Sequence, residues 1–275
     1  MFTIFALSLL TAIPFVSSQA SNNTVLELEV VEANFQNAGI VPALLASFNP
    51  GALLTVSFAG VGDITPGQNL TIDQVKPTPQ IVVTPANGSV SLGSVFTLAM
   101  VDAGPVGFDE SQGQTRHWLA NNVTLDSSDG LSFTSAVNIT DYASPFPAAG
   151  SGSHRYVILL YSQPASFTPP ANLSTPGVPV SAYDFNSYVQ TTGLGPLVAG
   201  NYIQVEQGVS TISVSATSAV ETSTLPAAKS LTSSKSSSTS GTSSAPSSSS
   251  TTSASGKLEA SVFLGAVSLL CSFIL

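Results

Sequence analysis

Eighteen prolines and twenty-one glycines punctuate the 275 residues of this chain so often that long helices find little room. Between these breaks lie short runs: "LLTVSFAG", "QIVVTP", "VFTLAMVD", "RYVILLYS" and "STISVSATS". Each is rich in β-branched or aromatic residues and bounded by Gly, Pro, Asn or Asp, the pattern of short strands. Two stretches depart from it. "GIVPALLASF" can make a helical turn, and in "AYDFNSYVQTTGL" Tyr183-Asp184-Phe185 leads into a short helix that Gly193 stops. The expectation is one mainly β domain.

The two ends of the chain read as processing signals. Residues 1–20 combine an apolar run with Ser18-Gln19-Ala20, an A-x-A-like cleavage site, as a signal peptide does. Residues 257–275 end in an apolar tail that follows a polar spacer and the small residues Ser253-Ala254-Ser255-Gly256. Those are the parts of a GPI-anchor signal, so the expected location is the cell surface, on the plasma membrane or wall. Between Ser230 and Gly256, 20 of 27 residues are Ser or Thr, so residues 221–256 are expected to form a disordered, O-glycosylated stalk. The folded domain is then residues 21–220.

Cys271 is the one cysteine and lies in the tail, so disulfides cannot hold the mature domain together and burial must. Roughly 200 residues suffice for that. Within residues 21–220 three basic side chains face thirteen acidic ones, a balance of −10. That excludes a basic stripe for nucleic acid. Six N-x-S/T sequons, at Asn22, Asn69, Asn87, Asn122, Asn138 and Asn172, are candidate N-glycosylation sites.

The scarce cations are concentrated. Both arginines and both histidines occur as adjacent pairs, Arg116-His117 and His154-Arg155, each abutting an apolar run. Asp102 closes the run "FTLAMVD". A carboxylate ending one strand and imidazoles starting two others could converge at one end of a sheet. Asp109-Glu110 and Asp126/Asp129 read as solvated loop charges, and Trp118, Phe146 and Tyr188 as core or pocket wall. The arginines alternate away from the histidines and are expected to pair with acids such as Asp141 or Asp184.

The run from Tyr142 to Tyr156, "YASPFPAAGSGSHRY", resembles the Y-x-G-P-x-P-P-x-G-x-G-x-H-R-Y segment of the phosphatidylethanolamine-binding protein (PEBP) family. It fits at thirteen of fifteen positions, free ones included, with Ser144 and Ala148 departing. "HWLANNVT", "LTIDQVKPTP", "YDFNSYV" and "VAGNYIQVE" are similar to further family segments, so the resemblance spans about Ala33 to Gln207. Where the family has D-P-D-x-P, this chain has Asp102-Ala103-Gly104-Pro105, one acid fewer. The resemblance implies a PEBP-like fold: a large antiparallel sheet, a smaller second sheet and a few short helices. It implies a pocket for a small anion or phospholipid head group, with Asp102, His117 and His154 as ligand-binding groups. Pro145, Gly152 and Tyr156 are implied in its wall. No cofactor, metal or catalysis is implied.

Two other readings stand beside it. Some fungal relatives in the family inhibit a serine carboxypeptidase, which makes a serine protease an alternative partner. The GPI signal joined to the Ser/Thr-rich stalk resembles a fungal secreted type. Enzymatic readings would use the two His and one acid as a metal triad, or His and Asp to activate Ser153. Neither has its motif context, because close H-x-D/E spacing and a G-x-S-x-G elbow are both missing.

Overall fold

The computed structural model describes residues 17–213 and 219–237, with side chains described for 23–213 and 219–231. The apolar termini and most of the expected stalk lie outside these residues. Among the described residues, no helix is long and apolar enough to cross a membrane.

The chain opens with α1 (Ser17–Asn37) and the short α2 (Ile40–Ala43). Strands β1 (Ala52–Phe58), β2 (Gly62–Asp63), β3 (Gln68–Leu70), β4 (Gln80–Pro85), β5 (Phe96–Asp102), β6 (Gln114–Leu125), β7 (Leu131–Ser132), β8 (Val137–Thr140) and β9 (His154–Ser162) follow. Then come β10 (Ser181–Tyr183), α3 (Phe185–Thr191), β11 (Leu197–Val205) and α4 (Pro226–Ser237). The large sheet has the order β10-β6-β5-β9-β11-β3, with β7 and β8 also paired to β6. The small sheet has the order β2-β1-β4. Pairing is antiparallel except between β11 and β3. The mainly β expectation holds.

Central strands β5 and β9 are buried along nearly their whole length because the large sheet is covered on both faces. One face carries Leu98, Met100, Tyr156, Ile158 and Leu160 against the alternate buried residues of β1 and β4. The other carries Ala99, Val101, Val157 and Leu159 against Phe35, Ile40, Leu44 and Phe185 of the helices. Period-two alternation along "HRYVILLY" therefore sorts its side chains between two cores.

Several elements differ from the expected ones. Helix α1 was not legible, since Leu26-Glu27-Leu28-Glu29-Val30 also alternates as a strand would. As a helix, the stretch aligns Leu28, Val31 and Phe35 on one buried face, and Phe35 stacks on Phe48 with ring centroids 3.9 Å apart. Gly39 turns the chain after α1 at φ +64°, a left-handed conformation that strains residues with a Cβ. In the run "STISVSATS", residues 210–213 form no strand; Thr211 bonds instead to the Gly150 carbonyl through its N–H and hydroxyl, both at 2.9 Å. Residues 214–218 lie outside the described ones. The start of the segment expected as a disordered stalk, Pro226–Ser237, is helical. Its Ala227 N–H donates to Glu29 of α1 at 3.0 Å, so tertiary contact orders what composition alone would leave unfolded.

The Asp184 carboxylate caps α3 by accepting from the Ser187 N–H at 2.8 Å. Gly193 follows the helix at φ +74°, as expected.

Phe35 is fully buried and touches Phe48 and Tyr202, so Phe35→Ala should destabilise the domain by about 3–5 kcal/mol. Urea unfolding of the two proteins, compared at equal m-value, checks this.

Candidate functional site

Asp102 ends β5 and His154 begins the adjacent β9, so strand pairing alone brings their side chains onto one face of the sheet. The His154 Nδ1 lies 2.9 and 3.0 Å from the two Asp102 oxygens. Asp102 Oδ1 also accepts from the Gly104 N–H at 2.8 Å. On its other side, His154 Nε2 meets Ser151 Oγ at 2.8 Å, and that hydroxyl reaches the Ala148 carbonyl at 2.6 Å. The ring is thus held from both sides, by the Asp102 carboxylate and by the Ser151 hydroxyl.

His117 reaches the site through a β-bulge. Met100 pairs with Trp118 but Val101 pairs with Arg116, leaving His117 as the extra residue on β6. Bulges re-aim side chains in this way. His117 packs edge-on to the Tyr156 ring at 5.1 Å, while His154 lies over the same ring at 6.4 Å. The two imidazoles, Tyr156 and Asp102 thus form one cluster. The His117 Nδ1–H donates to the Ala143 carbonyl at 2.9 Å, and the Ala143 N–H returns a bond to the His117 carbonyl at 2.8 Å.

The electrostatics are uneven. Burial pushes the His117 pKa down from its ordinary 6.5, opposed by the Ala143 bond and the Asp102 charge, so the ring is neutral at pH 7. Burial, then the Asp102 charge, push the Tyr156 phenol well up, so it keeps its proton. Its hydroxyl is buried, with the Asp102 carboxylate and the Phe146 backbone as its polar neighbours.

The remaining expected wall residues flank this cluster. Pro145 is buried in the loop that follows Ala143, and Gly152 is buried at φ +89° between Ser151 and His154. That turn presents Ser151 to the imidazole, whereas Ser153 faces Gln204 at 3.4 Å and not His154. Ser151, the Gly104 N–H and the Ala143 carbonyl were all missed. The contact between Ser151 and His154 spans three residues, so a turn signal around Gly152 was the available clue.

Other expectations need correction. Arg155 pairs with Glu110 at 3.3 Å, and Arg116 contacts no carboxylate; neither arginine meets Asp141 or Asp184. Glu110 is not a solvated loop charge: burial raises its pKa, while Gln114 and Arg155 bonds lower it. Phe146 is 66% exposed and belongs to no core. Asn69, Asn87, Asn122 and Asn172 are exposed, as glycan carriers must be. Asn138 is half-buried with its Oδ1 enclosed, because it sits on β8 against β6. The Asn22 side chain lies outside the described residues. Among the described residues, no three His, Cys, Asp or Glu side chains are grouped to hold a metal.

The family model for phosphatidylethanolamine-binding protein matches residues 46–203. A 26 kDa secreted antigen of Toxocara canis is 29% identical over 171 residues, 61% of this chain and 61% of that protein. The match thus spans less than two thirds of that relative. CEN-like protein 1 of Nicotiana tabacum is 28% identical over 173 residues, 62% of this chain and 90% of that one. The carboxypeptidase Y inhibitor of Saccharomyces cerevisiae is 28% identical over 158 residues, 48% of this chain and 72% of the inhibitor. A crystal structure of carboxypeptidase Y inhibitor complexed with the cognate proteinase has a TM-score of 0.53 at 22% identity, covering 69% of this chain and 98% of that one. That likeness is one of fold.

Because His117 is harder to protonate folded than unfolded, its contribution to stability is complete above its ordinary pKa and is lost as pH falls towards the lowered value. His117→Asn keeps a donor for the Ala143 carbonyl but does not titrate. The stability gap between the two proteins should be flat above about pH 7.5 and shift against the parent on acidification below about pH 6.5. Parallel stability curves through that range would show that burial does not oppose protonation of His117.

Proposed function

Because the chain belongs to the phosphatidylethanolamine-binding protein family, we propose that it is a non-catalytic binding protein whose Asp102, His117, His154 and Tyr156 receive a small anion. A phosphorylated lipid head group is the ligand class that the family description suggests. The observation that carries the proposal is the convergence of two imidazoles, the Tyr156 phenol and the Asp102 carboxylate at one end of the large sheet.

The charges fit that reading. Asp102 alone would repel an anion, but the His154 imidazole stands 2.9 Å from it, and a protonated ring would offset the carboxylate. His154 Nε2 meets Ser151 Oγ, a neutral partner that an anionic acceptor would replace. His117 spends its Nδ1–H on Ala143, so it offers an anion a second donor only when Nε2 gains a proton. Burial opposes that proton and a bound anion favours it, so anion binding and His117 protonation are linked. Pro145 and Gly152 are proposed as the wall of this site, a reading supported by the tight turn at Gly152, which would allow the backbone to approach a ligand.

Nucleophilic catalysis fits the geometry poorly, although Ser151, His154 and Asp102 stand in the order of a triad. Activation of a serine needs its proton directed at the imidazole, whereas Ser151 gives it to Ala148.

Export to the cell surface through a signal peptide and GPI anchor belongs to the same proposal, supported by the apolar termini and the secreted Toxocara relative. Protease inhibition is the second reading, favoured by the likeness to carboxypeptidase Y inhibitor.

A phosphodiester probe such as glycerophosphoethanolamine keeps its charge across the working range, so any pH effect reports the protein. NMR titration should move the His117 and His154 ring signals, with binding several-fold tighter at about pH 5.5 than at about pH 7.5. If neither imidazole responds at either pH, the anion-site proposal fails. The purified protein, α4 included, assayed against a panel of serine carboxypeptidases should leave their activity unchanged under the leading reading. Stoichiometric inhibition of one of them would promote the second.

A further inference from the structure

A cavity of about 760 Å³ opens between β4 and the β6–β7–β8 segment, with Trp118 in its wall. This is within the range of small-molecule sites, about 300–1,000 Å³. Its chemistry is unlike that of the anion site. Trp118 stacks on Phe133 at 5.1 Å and 20°, and meets Tyr142 edge-on at 5.4 Å, so three aromatic rings form one wall. The Tyr142 hydroxyl is occupied, donating to the Val75 carbonyl at 2.6 Å, which leaves its ring as what it offers a ligand. Asp126 and Asp141 stand at the rim, and no lining residue is basic.

The carboxylates are not spent on internal partners. Asp126 holds its turn through Oδ1 alone, accepting from the N–H groups of Ser128 at 2.7 Å and Gly130 at 3.0 Å, so Oδ2 is unused among the described residues. Asp141 makes no ion pair or side-chain hydrogen bond among them.

We infer that this cavity is a binding site for a primary organic ammonium on an apolar stem. The ring faces attract a cation and cover the stem. The two carboxylates supply the opposite charge, Asp126 through its unused Oδ2. An anion would be repelled here. A neutral ligand would gain burial but forgo the charge terms. The site uses none of the side chains assigned to the anion, although Trp118 directly follows His117 and Tyr142 directly precedes Ala143.

Trp118 is the one tryptophan in the chain, so native fluorescence reports on this cavity. Titrating the purified domain with pentylammonium should shift its emission with saturation, and 1-pentanol should bind about tenfold or more weaker. Raising salt should weaken the ammonium and leave the alcohol unaffected. The double variant Asp126→Asn, Asp141→Asn keeps an acceptor for the turn and should lose about tenfold in ammonium affinity. Its circular dichroism and its response to dimethyl phosphate, a phosphodiester without an amine, should match the parent, which separates this site from the other. The inference is overturned by an unmoved Trp118 signal, by equal affinity for 1-pentanol, which makes the cavity merely apolar, or by full ammonium affinity in the folded double variant.

Discussion

The structure depends on one buried cation. Arg155 is 1% exposed, and its guanidinium donates to the carbonyls of Ala38, Ala103, Gly104 and Pro105 as well as to Glu110. Its own backbone pairs with the same loop, through Ala103 N–H to Arg155 O and Arg155 N–H to Gly104 O. These bonds join the end of α1, the start of β9 and the loop after β5 at one point. Glu110 and Arg155 both lose solvation here, and the planar five-donor fork offsets that cost by reaching several acceptors at once. Replacing such a group would strand a ring of carbonyls, so its value lies in specifying the loop more than in raw stability.

That specification reaches the site directly. Gly104 gives its carbonyl to Arg155 and its N–H to Asp102, so the loop that the arginine holds also holds the carboxylate. Asp102 in turn orients His154. On the neighbouring strand, Arg116 has a parallel role, bonding Thr140, Pro179 and Ser181 while standing 5.0 Å over the Tyr183 ring. Each arginine lies beside a histidine in sequence yet faces the helical side of the sheet, while the histidine faces the site. Adjacent cationic residues thus divide the labour: one anchors and one remains available for a ligand.

The Trp118 cavity and the histidine cluster show what a low count of cations permits. With the arginines buried and committed, the carboxylates at the rim of the Trp118 cavity stay uncompensated, while Asp102 is balanced by an imidazole at 2.9 Å. The same sheet therefore presents two regions of opposite preference separated by one step along β6. The segment Asp102-Ala103-Gly104-Pro105, with its single acid, belongs to this balance, because a second carboxylate beside Asp102 would add negative charge where one imidazole stands against it.

Much of this was legible from local pattern. Period-two alternation along "HRYVILLY" assigned His154 and Arg155 to opposite faces, and the strands at β1, β4, β5 and β9 followed from their composition and breaks. Alternation is local because successive Cβ atoms on an extended backbone must point opposite ways. The sequence therefore determined the class of fold and which neighbouring side chains part company. Three-dimensional packing decided the rest. A bulge between Met100 and Val101 turned His117 towards Tyr156, and a turn at Gly152 chose Ser151 over Ser153. Burial across long sequence separation chose Glu110 for Arg155, and a packed face made α1 a helix although its residues also alternate. Each of those outcomes compares the free energies of contacts between distant segments, and no local window of residues contains both sides of the comparison.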